Sequence, residues 1–149
     1  MSTTRFRTGR QVKVLLSTVA LAAASACRTA SKVSPSLEIK DVRPPVFQGG
    51  EDNQDKALAE ACAQWQLTKA QAQQFFQLST AYKESPYSEF YQLPCSIDGV
   101  VEAEGKTWDF TINAGATAVW SRGEEVRYFG CSAPACEPLV LLMPDGMNP

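Results

Sequence analysis

Residues 97–112 read Ile-Asp-Gly-Val-Val-Glu-Ala-Glu-Gly-Lys-Thr-Trp-Asp-Phe-Thr-Ile, and this stretch decides the fold. Apolar and polar residues alternate on both sides of Glu104-Gly105-Lys106, which has the composition of a tight turn. A period of two residues is that of a strand with its side chains on alternate faces. The stretch therefore predicts two antiparallel strands joined by a short turn.

The segments after residue 112 continue this pattern. Asn113-Ala114-Gly115 and Ser121-Arg122-Gly123 are two further turn sequences. They separate short segments at 117–120 and 126–130, and a last apolar segment lies at 139–143. Together these segments predict an antiparallel meander of four to five strands.

Upstream of the meander the sequence predicts a helix. Thr68-Lys69-Ala70-Gln71 has the spacing of a capping box, and apolar residues recur after it at steps of three and four. Pro86 restricts the residue before it, so the helix is expected to end near 83–85. Residues 55–65 favour a helix by alanine content, and alternation leaves a strand as the other interpretation. The fold class predicted is α+β, with one long amphipathic helix packed on the meander.

The first residues have the pattern of an export signal. Arg5, Arg7, Arg10 and Lys13 precede an apolar run at 14–24, and Ser25-Ala26 leads to Cys27. The run is shorter than the roughly 20 apolar residues that a membrane-spanning helix requires. We expect a cleaved signal peptide at 1–26. A flexible tether at 27–54, rich in Pro, Gly and Ser, and a single globular domain at 55–149 would follow it. Within the tether, Leu37, Ile39 and Asp41 alternate imperfectly, which leaves a short strand at 36–42 as another interpretation.

The residues Ala24-Ser25-Ala26-Cys27 resemble the signal of bacterial lipoproteins. The resemblance implies that Cys27 becomes the new N-terminus, carries acyl chains such as palmitate and anchors the protein in a membrane. Arg28 stands where lipoproteins kept at the inner membrane tend to have Asp, which implies the outer membrane and a domain facing the periplasm. Ala24 departs from the leucine more often found there. The same residues fit ordinary signal peptidase, which would cut after Ala26 and release a soluble periplasmic protein.

Charge is the next constraint on function. The leader holds four of the 14 basic residues and none of the 16 acidic ones, so ten basic against 16 acidic residues give the mature chain a net charge of −6. A nucleic-acid-binding protein needs a basic surface to displace counterions from phosphates. We therefore expect no nucleic-acid partner. A basic partner would suit this charge, which is also ordinary for a soluble protein.

Four cysteines remain if Cys27 is lipidated: Cys62, Cys95, Cys131 and Cys136. An even number in an exported chain indicates two disulfides, and four thiols allow three pairings. Proximity in sequence favours Cys131 with Cys136, which leaves Cys62 with Cys95. Zinc is the competing interpretation, but the spacings lack the paired Cys-x-x-Cys units of structural zinc sites, and no metal is expected.

The sequence offers no catalytic residues. The chain has no histidine, the usual base in serine and cysteine nucleophile triads. Glu102 and Glu104 lie two apart on the predicted strand, so they would share one face in the manner of a glycosidase pair. Their position at the rim of a hairpin turn indicates solvated charges instead. We expect a protein that is not an enzyme and needs no cofactor.

Aromatic residues are the one feature with binding potential. The segment 86–92 is rich in tyrosine, a composition typical of protein contact surfaces. The other interpretation is that its rings simply fix the segment to the sheet. The candidate binding residues are Tyr87, Phe90, Tyr91, Trp120 and Tyr128.

A second resemblance covers roughly residues 65–137. It is carried by Leu93-Pro94-Cys95, Gly99, Trp108, Ile112, Gly115, Cys131 and Cys136. This spacing is similar to that of small exported bacterial proteins, some of which resemble immunity proteins that neutralise antibacterial toxins. The resemblance implies an envelope-anchored module that binds or inhibits another envelope protein or an incoming one. The alternative is a lipoprotein that binds a small apolar or glycan ligand in envelope maintenance.

Overall fold

The alternating segments form the centre of the structure, a computed structural model that describes residues 36–50 and 53–145. The signal peptide and Cys27 lie outside the described residues. The elements follow one another as β1 (Leu37–Val42), β2 (Val46–Phe47), α1 (Asn53–Gln64), α2 (Lys69–Leu78), β3 (Thr80–Tyr82), β4 (Cys95–Ala103), β5 (Lys106–Asn113), β6 (Thr117–Arg122), β7 (Glu125–Gly130) and a 3₁₀ helix (Pro134–Leu139).

The strands of the described residues form one antiparallel sheet of seven strands, in the order β1-β4-β5-β6-β7-β3. The short β2 also pairs with β4. Consecutive strands from β4 to β7 are neighbours, joined by turns in which Glu104, Gly105 and Gly123 have positive φ. The hairpins predicted around residues 97–112 and 117–130 are therefore present.

The predicted fold class is wrong. Instead of one long helix on four or five strands, the chain forms a seven-stranded antiparallel sheet with short helices. The helix expected to reach 83–85 ends at Leu78, and Thr80–Tyr82 pairs with β7. The helical spacing of apolar residues continues in the sequence to Tyr82. Thr and Tyr favour strands, however, and pairing with β7 outweighs that helical pattern. The capping box at Thr68 is confirmed, because its hydroxyl accepts from the Gln71 amide while the Gln71 side chain accepts from the Thr68 amide.

Two further boundaries differ from the sequence interpretation. Residues 37–47 fall inside the tether predicted over 27–54, yet they form β1 and β2 and pair with β4. Ile39 explains this, because it is buried opposite Val101. The strand expected at 139–143 is absent from the described structure. A 3₁₀ helix with Pro138 inside it ends there instead, and proline lacks the amide that a sheet ladder requires.

The core lies between the sheet and α2. Phe76 of α2 contacts the rings of Phe110, Trp120 and Phe129 edge-on, with centroids 5.1 to 5.5 Å apart. Gly99 leaves room beside it for the Phe110 ring, where a methyl group would collide with that ring. Segment 65–67 closes one end of the core, and the Trp65 indole donates to the Leu139 carbonyl at 3.0 Å.

Two disulfides join elements of the described structure. Cys62 is bonded to Cys95 and Cys131 to Cys136, which confirms the predicted pairing. Within residues 55–64 of α1 only Cys62 is buried, so the bridge to β4 is the principal attachment of this helix. No helix in the described part of the chain is both long and apolar enough to cross a membrane.

Candidate functional site

The two faces of the sheet differ in what covers them. Positions such as Ile97, Phe110 and Trp120 face α2 and are buried, and we call this side the inner face. The intervening positions point the other way, because side chains alternate along a strand. This outer face comprises Asp98, Val100, Glu102, Asp109, Thr111, Thr117, Val119, Ser121, Val126 and Tyr128, together with Glu38, Asp41 and Tyr82 at its edges.

The loop over residues 83–94 covers one end of the outer face. The Phe90 ring lies against Gly130 and packs edge-on with Tyr82, with ring centroids 6.3 Å apart. The Gln92 amide donates to the Thr117 hydroxyl at 3.2 Å, and Thr117 is buried as a result. Burial and the nearby carboxylate of Glu89 raise the pKa of Tyr82.

Asn113 holds the base of this loop. Its side-chain oxygen accepts from the amides of Leu93 at 3.1 Å and Gly115 at 2.8 Å, and its nitrogen donates to the Leu93 carbonyl at 2.7 Å. Gly115 is required here because a side chain would collide with the Tyr91 carbonyl. The loop is thus fixed on the sheet at both Phe90 and Asn113.

The five predicted binding residues separate into two groups. Phe90 and Trp120 are only 2% and 3% exposed and belong to the packing, so their assignment to a contact surface is corrected. Phe90 fixes the loop to the sheet, and Trp120 faces α2 because its strand position has inner-face parity. The second group comprises the three tyrosines. Tyr87 is 50% exposed, and Tyr128 lies half-buried on the outer face. The Tyr91 hydroxyl donates to Asp145 at 2.8 Å, and this hydrogen bond raises the Tyr91 pKa.

Beyond the loop the outer face is uncovered by any described element, and its β6 and β7 part is apolar. Val119 lies directly opposite Tyr128, and Ser121 opposite Val126. Val126 is 46% exposed, and its position on the same face as Val119 and Tyr128 makes the three side chains a group. We call Val119, Val126 and Tyr128 the apolar group.

The neighbouring β1, β4 and β5 part of the outer face is acidic. Glu38 and Glu102 share the Lys40 ammonium at 2.7 and 3.1 Å, and both contacts raise the Lys40 pKa. A β-bulge at Lys40 and Asp41 makes this arrangement, because both residues oppose the single residue Val100. Asp98 accepts from the Thr111 hydroxyl at 2.6 Å.

Glu102 and Glu104 do not share a face, contrary to the sequence interpretation. Glu104 lies in the turn with a φ of 55° and pairs with Arg127 at 3.0 Å. That contact lowers the pKa of the Glu104 carboxyl. The Arg127 and Arg122 guanidiniums lie 4.5 and 5.4 Å from the centre of the Trp108 ring, so this cluster closes the end of the inner face with cation–π contacts.

A cavity of about 210 Å³ lies between the β1–β2 connection and the α1–α2 connection. Its lining includes Arg43, Pro44, Pro45 and Leu67. Sites for drug-sized ligands usually span about 300 to 1,000 Å³, so this cavity is small by that measure. Within residues 36–50 and 53–145, no group of three or more Cys, Asp or Glu side chains is arranged to hold a metal ion.

Comparison with known protein families, with characterised proteins and with solved structures finds no significant match to this chain.

The open outer face was missed by sequence reasoning. Its apolar group was hidden because Val119 and Val126 were counted as strand-forming residues without assignment to a face. The signal was available in the alternation: once Phe110, Ile112 and Trp120 are placed inside, Thr111, Val119 and Ser121 must point outward. An apolar residue at an outward position was the clue.

Proposed function

We propose that the protein is a non-catalytic binding or inhibitor module of the bacterial cell envelope, anchored by a lipid on Cys27, which engages another protein through its outer face. One observation carries the proposal. Val119, Val126 and Tyr128 form an apolar group on a sheet face that no described element covers.

The composition of this face supports protein binding. Protein interfaces combine an apolar or aromatic centre with a polar rim, and tyrosine is enriched among the residues that dominate binding energy. Here the apolar group is bordered by Thr111 and Ser121, with carboxylates beyond them. The strands beneath it pack on α2 through Trp120. A contact surface that is already ordered before binding reduces the entropic cost of association.

Anchoring would serve this role by holding the module where envelope or incoming proteins pass. The sequence at 24–27 supports the anchor, and a soluble periplasmic form remains the competing proposal for location. Paired cysteines at 62–95 and 131–136 suit an oxidising compartment.

The test is capture of the partner with matched variants. The tagged full chain is expressed in bacteria that have an outer membrane. Tyr128→Ala with Val126→Ser removes two of the three side chains of the apolar group, and neither residue belongs to the core. The control is Ala63→Ser with Gln64→Ala. Both residues are exposed and lie on α1, which is not part of the outer face.

We expect the native chain and the α1 variant to recover one protein in equal molar amount. The outer-face variant should fail to recover it. Equal recovery by both variants would place binding elsewhere and overturn the assignment of the face. Recovery of a bound small molecule, with no protein, would support the ligand-binding alternative.

A further inference from the structure

We propose that the partner of the outer face is a protein with a basic surface patch, and that the carboxylates of β4 and β5 bind it; this inference rests on the proposed function. The two halves of the face carry different chemistry, one apolar and one anionic. The arrangement of the anionic half identifies the class of partner.

Four carboxylates surround Val100 on the outer face, and one of them, Asp41 of β1, is paired with Arg43 at 3.5 Å. Asp98 and Glu102 occupy the positions two residues before and after it on β4, and Asp109 of β5 lies directly opposite it. Asp109 is thus a diagonal neighbour of both β4 acids, at a spacing of about 7–8 Å between backbones in such pairs. Carboxylates grouped at this spacing on one face add up to a negative surface potential.

The fold leaves most of this charge unneutralised. Glu102 shares one ammonium with Glu38, whereas Asp98 and Asp109 form no ion pair with any described residue. The carboxylates near Trp108, at the end of the inner face, are neutralised instead: Glu104 is paired with Arg127, and Glu125 with Arg122. A group of like charges without counter-charges reduces folding stability and raises the local concentration of cations. A cationic partner would relieve the repulsion.

The anionic and apolar halves are contiguous. Asp109 lies opposite Ser121, and Thr111 lies opposite Val119. A partner that places apolar side chains on Val119 and Tyr128 therefore brings its flanking residues over Asp98 and Asp109. Lysine or arginine at those positions would complement the charge and speed association, and an arginine could also stack on the Tyr128 ring.

Hexalysine is the first probe, and hexaglutamate is its control. Each peptide is titrated into the isotope-labelled, oxidised full chain carrying Cys27→Ser, and the backbone amide chemical shifts are followed by NMR at low ionic strength. We expect hexalysine to shift outer-face residues of β4 and β5 and to lose about five-fold in affinity with Asp98→Asn/Asp109→Asn, as exposed ion pairs are individually weak. The matched pair Glu60→Gln/Glu137→Gln removes the same charge from exposed sites off this face and should change affinity less than two-fold.

Equal losses in the two double variants, or shifts centred on α1, would overturn the proposal. Unfolding is not a confounder, because removing two unpaired like charges should leave thermal stability unchanged or raise it, and the asparagine at 98 still accepts from Thr111.

The captured partner then separates this inference from the proposed function. The expected result is that Asp98→Asn/Asp109→Asn weakens capture and reduces its dependence on salt. If the Tyr128 variant releases the partner while the charge variant leaves its affinity and salt dependence unchanged, the basic partner is wrong and the binding function stands. If no partner depends on Tyr128, the binding face itself is wrong.

Discussion

At the scale of single residues, Asn113 joins the covering loop to the sheet. Asn113→Ala removes three hydrogen bonds, two to Leu93 and one to Gly115, in a half-buried setting. Because each contributes about 1 kcal/mol net, we expect the free energy of unfolding to fall by about 2–3 kcal/mol. Urea unfolding followed by tryptophan fluorescence measures it. Thr111→Ala, two residues away on the same strand but exposed, is the comparison, and an equal loss there would contradict the role given to Asn113.

Glu104 makes the free energy of unfolding depend on pH in the acidic range. Arg127 hydrogen-bonds to its carboxylate and lowers its pKa below the ordinary value of 4.5. The unfolded chain then takes up the proton at a higher pH than the folded one. The stabilisation is therefore complete above pH 4.5 and is lost as pH falls through the lowered folded pKa.

Glu104→Gln should flatten the decline of melting temperature below pH 4.5, and Arg127→Gln should flatten it as well. Because the two groups act as one pair, the double variant should show no further flattening than either single variant. Thermal melts from pH 6 to about pH 3 measure this, since that range brackets ordinary carboxyl titration. Additive effects would show that Arg127 is not the cause of the lowered pKa.

At the scale of elements, one disulfide joins α1 to β4 and the other joins the end of β7 to the 3₁₀ helix. The Cys62–Cys95 bond joins residues 33 apart and the Cys131–Cys136 bond residues 5 apart. Loop entropy predicts a loss of about 4 kcal/mol for Cys62→Ala/Cys95→Ala and about 2 kcal/mol for Cys131→Ala/Cys136→Ala. Chemical denaturation of the oxidised proteins tests the ranking. Hydrogen exchange should additionally increase in α1, and a reversed ranking would refute the dominance of loop length.

The strands of the hairpins were predictable because their information is local. Residues 97–112 alternate regularly, and the turn at Glu104-Gly105 lies within the same stretch. The capping box was equally local. The end of α2 was not, since Thr80–Tyr82 continues the helical pattern and becomes a strand only because β7 is there to pair with it. For the same reason residues 37–47 were assigned to the tether, with a strand at 36–42 only as another interpretation: their partners in β4 lie 48 to 66 residues further along the chain.

The candidate surface was partly predictable for a similar reason. Tyr128, one of the candidate contact residues, lies on the open face, while Trp120 on the adjoining strand points inward. Both residues are aromatic, so residue type alone indicates both equally as candidates for a contact surface. Only the register of β5 against β6, with Phe110 opposite Trp120, decides which side each takes. Residue type thus indicates binding potential, and strand parity assigns the face.

At the scale of the whole molecule, the sheet buries one side and presents the other, an architecture suited to a fixed contact surface. Its two disulfides fit export, and the residues before the domain supply the proposed route. Arg5, Arg7 and Arg10 would orient the apolar run, and Cys27 would receive the lipid. Acyl chains bind a bilayer through about 0.8 kcal/mol per buried CH₂, so the proposed attachment would depend on acylation of the Cys27 thiol.

The anchor is tested on the full chain expressed in a bacterium with two membranes. Mass spectrometry of the detergent-extracted protein should show an N-terminus at Cys27 that carries acyl chains, and labelled palmitate should be incorporated. Cys27→Ser should abolish the label and release the domain from the membrane fraction, while Cys62 and Cys95 stay bonded. A mass that begins at Cys27 without lipid would establish the soluble periplasmic form instead. A mass that retains Met1 would refute export, and with it the oxidising compartment proposed for the binding face.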